Sequence, residues 1–146
     1  EVHLPFLQTV LHQFQLVPLV VGDAAPKQVA AILNTLWYDI DSNERVAKSG
    51  YKGGGGEETV IIISSDLSHY HPYQQARKLD RDTTEQIENL NIELTGEQAC
   101  GCRAINGLLY AARQHGLRVT TLDLRNSGDT AGGKDQVVGY GAYALH

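Results

Sequence analysis

The sequence predicts an α/β fold, a mostly parallel central sheet flanked by helices. Three observations carry this. Residues 60–63 (Val60, Ile61, Ile62, Ile63) are a continuous β-branched run, the pattern of a strand buried on both faces of a parallel sheet. Segments with helical apolar spacing lie before and after it. The run also leads straight into Ser64, Ser65, Asp66, Ser68, His69, Tyr70, His71 and Tyr73. In open α/β sheets ligands bind just beyond the carboxyl ends of the strands, so this polar stretch falls where chemistry is expected.

Each element follows from its own pattern. His3, Leu4, Leu7, Val10, Leu11 and Phe14 recur at helical spacing and predict an amphipathic helix over residues 4–14, with His3 on its buried side as a satisfied core histidine. Residues 16–21 (LVPLVV) read as a short strand, Pro18 marking an edge or bulge. Ala25 and Pro26 start a second helix ending near Trp37 or Tyr38, with Val29, Ile32, Leu33 and Leu36 inward. Residues 39–58 lack an apolar period, mix charges and contain four consecutive glycines, so they predict a flexible surface insertion. Glu57 and Glu58 after the glycines, in place of Gly-Lys-Ser/Thr, argue against a phosphate loop.

Residues 74–90 predict a helix with Ala76, Leu79, Thr83, Ile87 and Leu90 on one face; Arg77, Lys78, Asp80, Arg81, Asp82 and Glu85 read as its solvated side. A turn over residues 96–101 precedes a helix over 103–114, which Gly116 stops. Strands are predicted at 119–124 and 137–145, joined by the polar loop 125–135. Gly139 and Gly141 in the last strand mark close backbone, ligand or helix approach.

Composition narrows the function classes. The 146 residues suffice for one domain with a sizeable core, at 42% hydrophobic and 20% charged residues. A net charge of -5 without a basic block argues against nucleic acid held by phosphate contacts. No apolar run reaches membrane-spanning length and no signal peptide opens the chain, so no membrane partner is expected and the cytoplasm is the expected compartment. Cys100 and Cys102 are separated by one residue and read as reduced thiols. A chain that starts at Glu1 and lacks methionine is expected to be a segment of a longer or processed product.

The candidate chemistry centres on three residues. Asp66 lies three positions before His69, close enough to orient the ring or share a metal shell with it; a purely structural hydrogen bond is the alternative. Cys100 falls at or just before a helix N-terminus, where unpaired N–H groups favour a thiolate. With Asp66 and His69 it would form a mixed donor set for a transition metal, or a Cys/His nucleophilic pair. His71 precedes Pro72 and reads as part of a helix start, while His12, His115 and His146 read as surface or terminal residues. Ser64, Ser65 and Ser68 lack the Gly-x-Ser-x-Gly elbow of a serine nucleophile.

EVHLPFLQ, LVPLVVGD, SSDLSHYHPY, ACGCRAI and NSGDTAG followed by VVGYGAYAL resemble, in this order, the C-terminal half of the Memo family, also called AmmeMemoRadiSam system protein B. The resemblance covers residues 1–146 apart from the insertion. It implies a fold similar to the class III extradiol dioxygenases, which use non-haem Fe(II). It also implies a site with iron or copper held by a cysteine, matching Cys100, and two N-terminal histidines absent from this chain. Asp66 and His69 match the Asp and His of the family's SSD motif and are the expected catalytic residues. His3 and Glu1 match residues that border the pocket.

Two readings of different class follow. In one, the complete protein is a metal-dependent redox enzyme in which Asp66 and His69 position substrate or move protons. In the other, the pocket is vestigial and the protein is an adaptor that binds a peptide or protein partner. The missing N-terminal half, in cis or in trans, is an expected partner, because half a sheet exposes an apolar edge. The resemblance further implies a radical-enzyme pathway partner.

Overall fold

Pro26 is tolerated in a first helical turn because its missing N–H would be unpaired there anyway. It opens one of the four helices among the residues that the computed structural model describes, 2–38, 59–130 and 132–146. The helices are α1 (Leu4–Val10), α2 (Pro26–Tyr38), α3 (Tyr73–Glu88) and α4 (Cys102–His115). The strands are β1 (His69–His71), β2 (Val119–Asn126) and β3 (Val137–Leu145), with a 3-10 turn at Ser127–Asp129. The insertion predicted at residues 39–58 and the predicted pocket residue Glu1 lie outside the described residues.

The fold is α/β, but every strand pairing among the described residues is antiparallel. The sheet has the order β1-β3-β2. β2 and β3 pair from Val119 opposite Leu145 to Asn126 opposite Gly139, and β1 adds two positions, His69 opposite Val138 and His71 opposite Val137. Residues 16–21 and 60–63, predicted as strands, run without a ladder partner among the described residues. A strand without a neighbour has no hydrogen bonds to define it. Ile61 and Ile63 still pack on the helices, while Val60 and Ile62 face outward at 74% and 48% exposure. The two-sided burial predicted for this run is therefore one-sided here.

The helices show where packing overrides or completes pattern. α1 has no buried residue, stops at Val10 and leaves His3 exposed, against the longer helix with an inward His3 that the spacing predicts. A helix this short gains little without an apolar surface to lie on. α2 buries Val29, Ala30 and Leu33, whereas Ile32, predicted inward, is 55% exposed. It lies directly against α4: a Cβ on Gly107 would come within 2.3 Å of Val29 Cγ1. α4 ends as its sequence demands, at Gly116 with φ 66°.

α3 packs across β2 and β3 with Ala76, Asp80, Thr83, Thr84 and Ile87 buried, a 3.6-residue recurrence. Asp80 belongs to this inner face and not to the solvated one the charge run suggests, because its carboxylate accepts the Ser68 N–H at 3.0 Å. One apolar cluster joins Leu67, Ile87, Leu94, Ala99, Cys102 and Leu109, and a second joins Val29, Leu33 and Leu108. Asn106, buried beside the first, receives the Leu94 N–H and donates to the Leu94 carbonyl, so its amide is satisfied. These layers hold residues 64–71 between α3, α4 and β3.

Candidate metal and redox site

Residues 64–69 are fixed from both sides by backbone contacts. The Leu67 N–H donates to the Gly139 carbonyl and the Gly139 N–H to the Ser68 carbonyl, each at 2.8 Å. Gly139 is required by close approach: a Cβ there would meet Asp80 Oδ2 at 2.2 Å. The register shifts between His69 and His71, and Tyr70 takes φ 60°, a left-handed conformation that is costly for a bulky residue. This β-bulge re-aims the chain, and His69 Nε2 comes within 3.6 Å of Asp66 Oδ2.

Cys100 reaches the same place from the turn before α4. The Asp66 N–H lies 3.3 Å from its sulfur, and the Cys100 N–H donates to the Asp66 carbonyl, also at 3.3 Å. Ser65 Oγ sits 3.6 Å from the sulfur, donates to the Asp66 carbonyl and accepts the Gly101 N–H. The two segments thus clasp through one backbone–backbone bond and through backbone N–H groups that meet the Cys100 sulfur and the Ser65 hydroxyl. Both cysteines are free thiols, Cys100 exposed and Cys102 buried.

The ligand atoms of Asp66, His69 and Cys100 all lie within 4.8 Å of one another. Metal bonds of about 2.0–2.3 Å to such donors require ligand atoms a little closer than this limit, so modest closure brings them onto one ion. The oxygen, nitrogen and sulfur donor set is of a kind that holds transition metals.

His3 stands apart from the triad, and of the three only Asp66 lines the same cavity. His3, Asp66, Phe6, Leu7, Ile62 and Tyr140 line a largely apolar cavity of about 440 Å³. The sequence brought Asp66, His69, Cys100 and His3 forward. It did not single out Tyr140, Phe6, Leu7 or Ile62, whose apolar character reads as core, nor Ser65 as a support of the cysteine. No sequence signal pointed to Ser65, because its approach to Gly101, where a Cβ would lie 2.7 Å from Ser65 Cβ, is a tertiary contact.

Comparison with known proteins decides the family. The family model described as Memo-like protein matches residues 1–144. The chain belongs to the Memo-like family. Its relatives include a MEMO1 family protein of Methanosarcina mazei, 33% identical over 97% of this chain and 52% of the relative. Another, from Sulfolobus acidocaldarius, is 32% identical over 96% of this chain and 48% of the relative. A third, from Aeropyrum pernix, is 32% identical over 97% and 49%, respectively. The chain spans about half the length of these curated relatives.

Proposed function

We propose that this Memo-like chain supplies part of a non-haem metal redox centre, with iron or copper as the metal. The observation that carries the reading is the convergence of the Asp66, His69 and Cys100 donor atoms within 4.8 Å. A transition metal bound there supplies Lewis-acid and one-electron chemistry. Cys100 is its sulfur donor, with the Asp66 N–H 3.3 Å from the sulfur. Asp66, which lines the cavity, orients His69, and His69 holds or moves a proton through Asp66. His3 and the apolar wall of Phe6, Leu7 and Ile62 receive the substrate.

The complete protein, in this reading, is intracellular, has the class III extradiol dioxygenase-like fold and takes its two further histidine ligands from an N-terminal half. The apolar surface of the chain supports this. Val17, Val20, Val60 and Phe6 are 66%, 100%, 74% and 74% exposed, and the unpaired residues 16–21 and 60–63 are available to a larger, mostly parallel sheet. Metal analysis of the purified protein tests the proposal. Bound iron or copper that Cys100→Ser abolishes supports it. Metal retained unchanged by Cys100→Ser, with partner binding unaffected by His69→Ala, would instead support an adaptor with a vestigial pocket.

A further inference from the structure

Between α3 and the end of β2, Arg77, Asp80, Arg81, Leu124, Arg125, Asn126 and Asp129 line a cleft of about 100 Å³ that shares no lining residue with the cavity at His3 and Asp66. Three guanidinium groups and two carboxylates make it look balanced. Both carboxylates keep their charge, but their oxygens already accept hydrogen bonds from within the fold. Asp80 is 2% exposed, Oδ1 accepts the Ser68 N–H, and both oxygens crowd the Gly139 backbone, within 2.5 Å of where a Cβ would stand. Asp129 accepts the Tyr73 hydroxyl on Oδ1 and the Asn126 N–H on Oδ2. Those bonds, the Tyr73 hydroxyl first, hold its carboxyl below the usual range, so it stays charged and engaged.

The arginines are less satisfied. Arg125 Nε pairs with Asp123 at 2.6 Å, at a half-exposed position. Arg77 lies over the Tyr73 ring at 5.7 Å, a contact that leaves its N–H groups available. Neither Arg77 nor Arg81 has a carboxylate within salt-bridge distance among the described residues. They stand one helical turn apart on α3, where like charges repel. An anion between them would remove that repulsion, and planar guanidinium groups present paired donors suited to a tetrahedral oxyanion.

We propose that this cleft is an oxyanion site, sized for a phosphate group, in which Arg77 and Arg81 supply the principal donors. It is independent of the metal-site reading. The phosphate could be free or carried on a small metabolite, and the cleft recognises the group common to both.

The test is a titration of the purified protein with inorganic phosphate at constant ionic strength, followed by amide and arginine Nε–H shifts in NMR spectra. The expected result is saturable shifts confined to residues 77–81 and 124–129. Arg77→Gln with Arg81→Gln should weaken them at least tenfold, Arg81→Lys should give intermediate weakening, and Arg103→Gln should change nothing, since Arg103 pairs with Asp23 elsewhere. A phenyl phosphate titration then separates sources: tighter binding than inorganic phosphate identifies an esterified group, and weaker binding a free anion. Non-saturating shifts spread over all basic residues, or wild-type binding in the folded double variant, would overturn the proposal. The wild-type shift map decides the question even if the double variant does not fold.

Discussion

Gly101→Ala should damage the metal site by steric displacement alone. Gly101 has φ -92° and ψ 21°, which alanine adopts without strain, so the backbone does not penalise the change. The new Cβ would stand 2.7 Å from Ser65 Cβ and 2.9 Å from the Ser64 carbonyl oxygen. Ordinary carbon contacts begin at 3.4 Å, so Ser65 must retreat by about 0.7 Å, and neither obstacle is the free end of a flexible side chain. Overpacking of this kind costs about 1–3 kcal/mol. The same retreat carries the Asp66 N–H away from the Cys100 sulfur, from 3.3 Å toward about 4 Å, the outer limit for a sulfur acceptor, so the hydrogen bond is weakened. Loss of a group that supports a metal ligand lowers affinity by about 10–100-fold. Urea denaturation gives the stability change and competition with a chelator gives the affinity. Gly96→Ala is the control, since nothing lies within 4 Å of a Cβ at that position. A Gly101→Ala protein with the stability and metal affinity of the Gly96→Ala control would refute the clasp between residues 64–66 and 100–101.

Other expectations follow from the same packing. Leu109, 1% exposed in the main apolar cluster, should lose about 2–5 kcal/mol on replacement by Ala, measured by the denaturation midpoint. Tyr70→Val should cost about 1–3 kcal/mol, because a β-branched residue resists φ 60° more than tyrosine does, and a stability equal to wild type would contradict the bulge. Asp129 sets a pH dependence. Its folded pKa lies below its unfolded one, so its stabilisation is complete above the unfolded value and is lost as pH falls through the folded value. Asp129→Asn should flatten that acid limb in thermal melts between pH 2 and about 5. Burial raises the Tyr143 phenol most, while its hydrogen bond with Thr84 pulls the other way. Stability is therefore present below the unfolded tyrosine value and lost as pH rises above it, and Tyr143→Phe should remove that alkaline dependence.

Much of the fold was legible because local chemistry and tertiary packing agree. Pro26 marks a helix start by its restricted φ and Gly116 a helix end by its freedom to adopt φ 66°, and Val29 and Leu33 lie inward as their spacing requires. The strands β2 and β3 follow their apolar patterns, although pattern alone does not give strand direction. The sequence failed where a distant partner decides. His69, Tyr70 and His71 carry no strand pattern, and they pair only because Gly139 lets the backbones meet around Asp80. Asp80 itself reads as one charge among several until the Ser68 N–H is seen to need an acceptor. The parallel sheet inferred from residues 60–63 depends on neighbours that the described residues do not provide. The site shows the same division. Asp66 and His69 were visible as a sequence pair, whereas the approach of Cys100 across 34 positions is a tertiary fact.

The most direct test is a cobalt(II) titration of metal-free protein, followed in the near-ultraviolet where thiolate-to-metal charge transfer absorbs. A thiolate ligand at Cys100 predicts a saturable band near one equivalent, absent from Cys100→Ser and altered in position or affinity by His69→Ala and Asp66→Asn. The same band in Cys100→Ser, or no band in the folded wild-type protein, would contradict Cys100 as a metal ligand and remove the basis for a redox centre at this site.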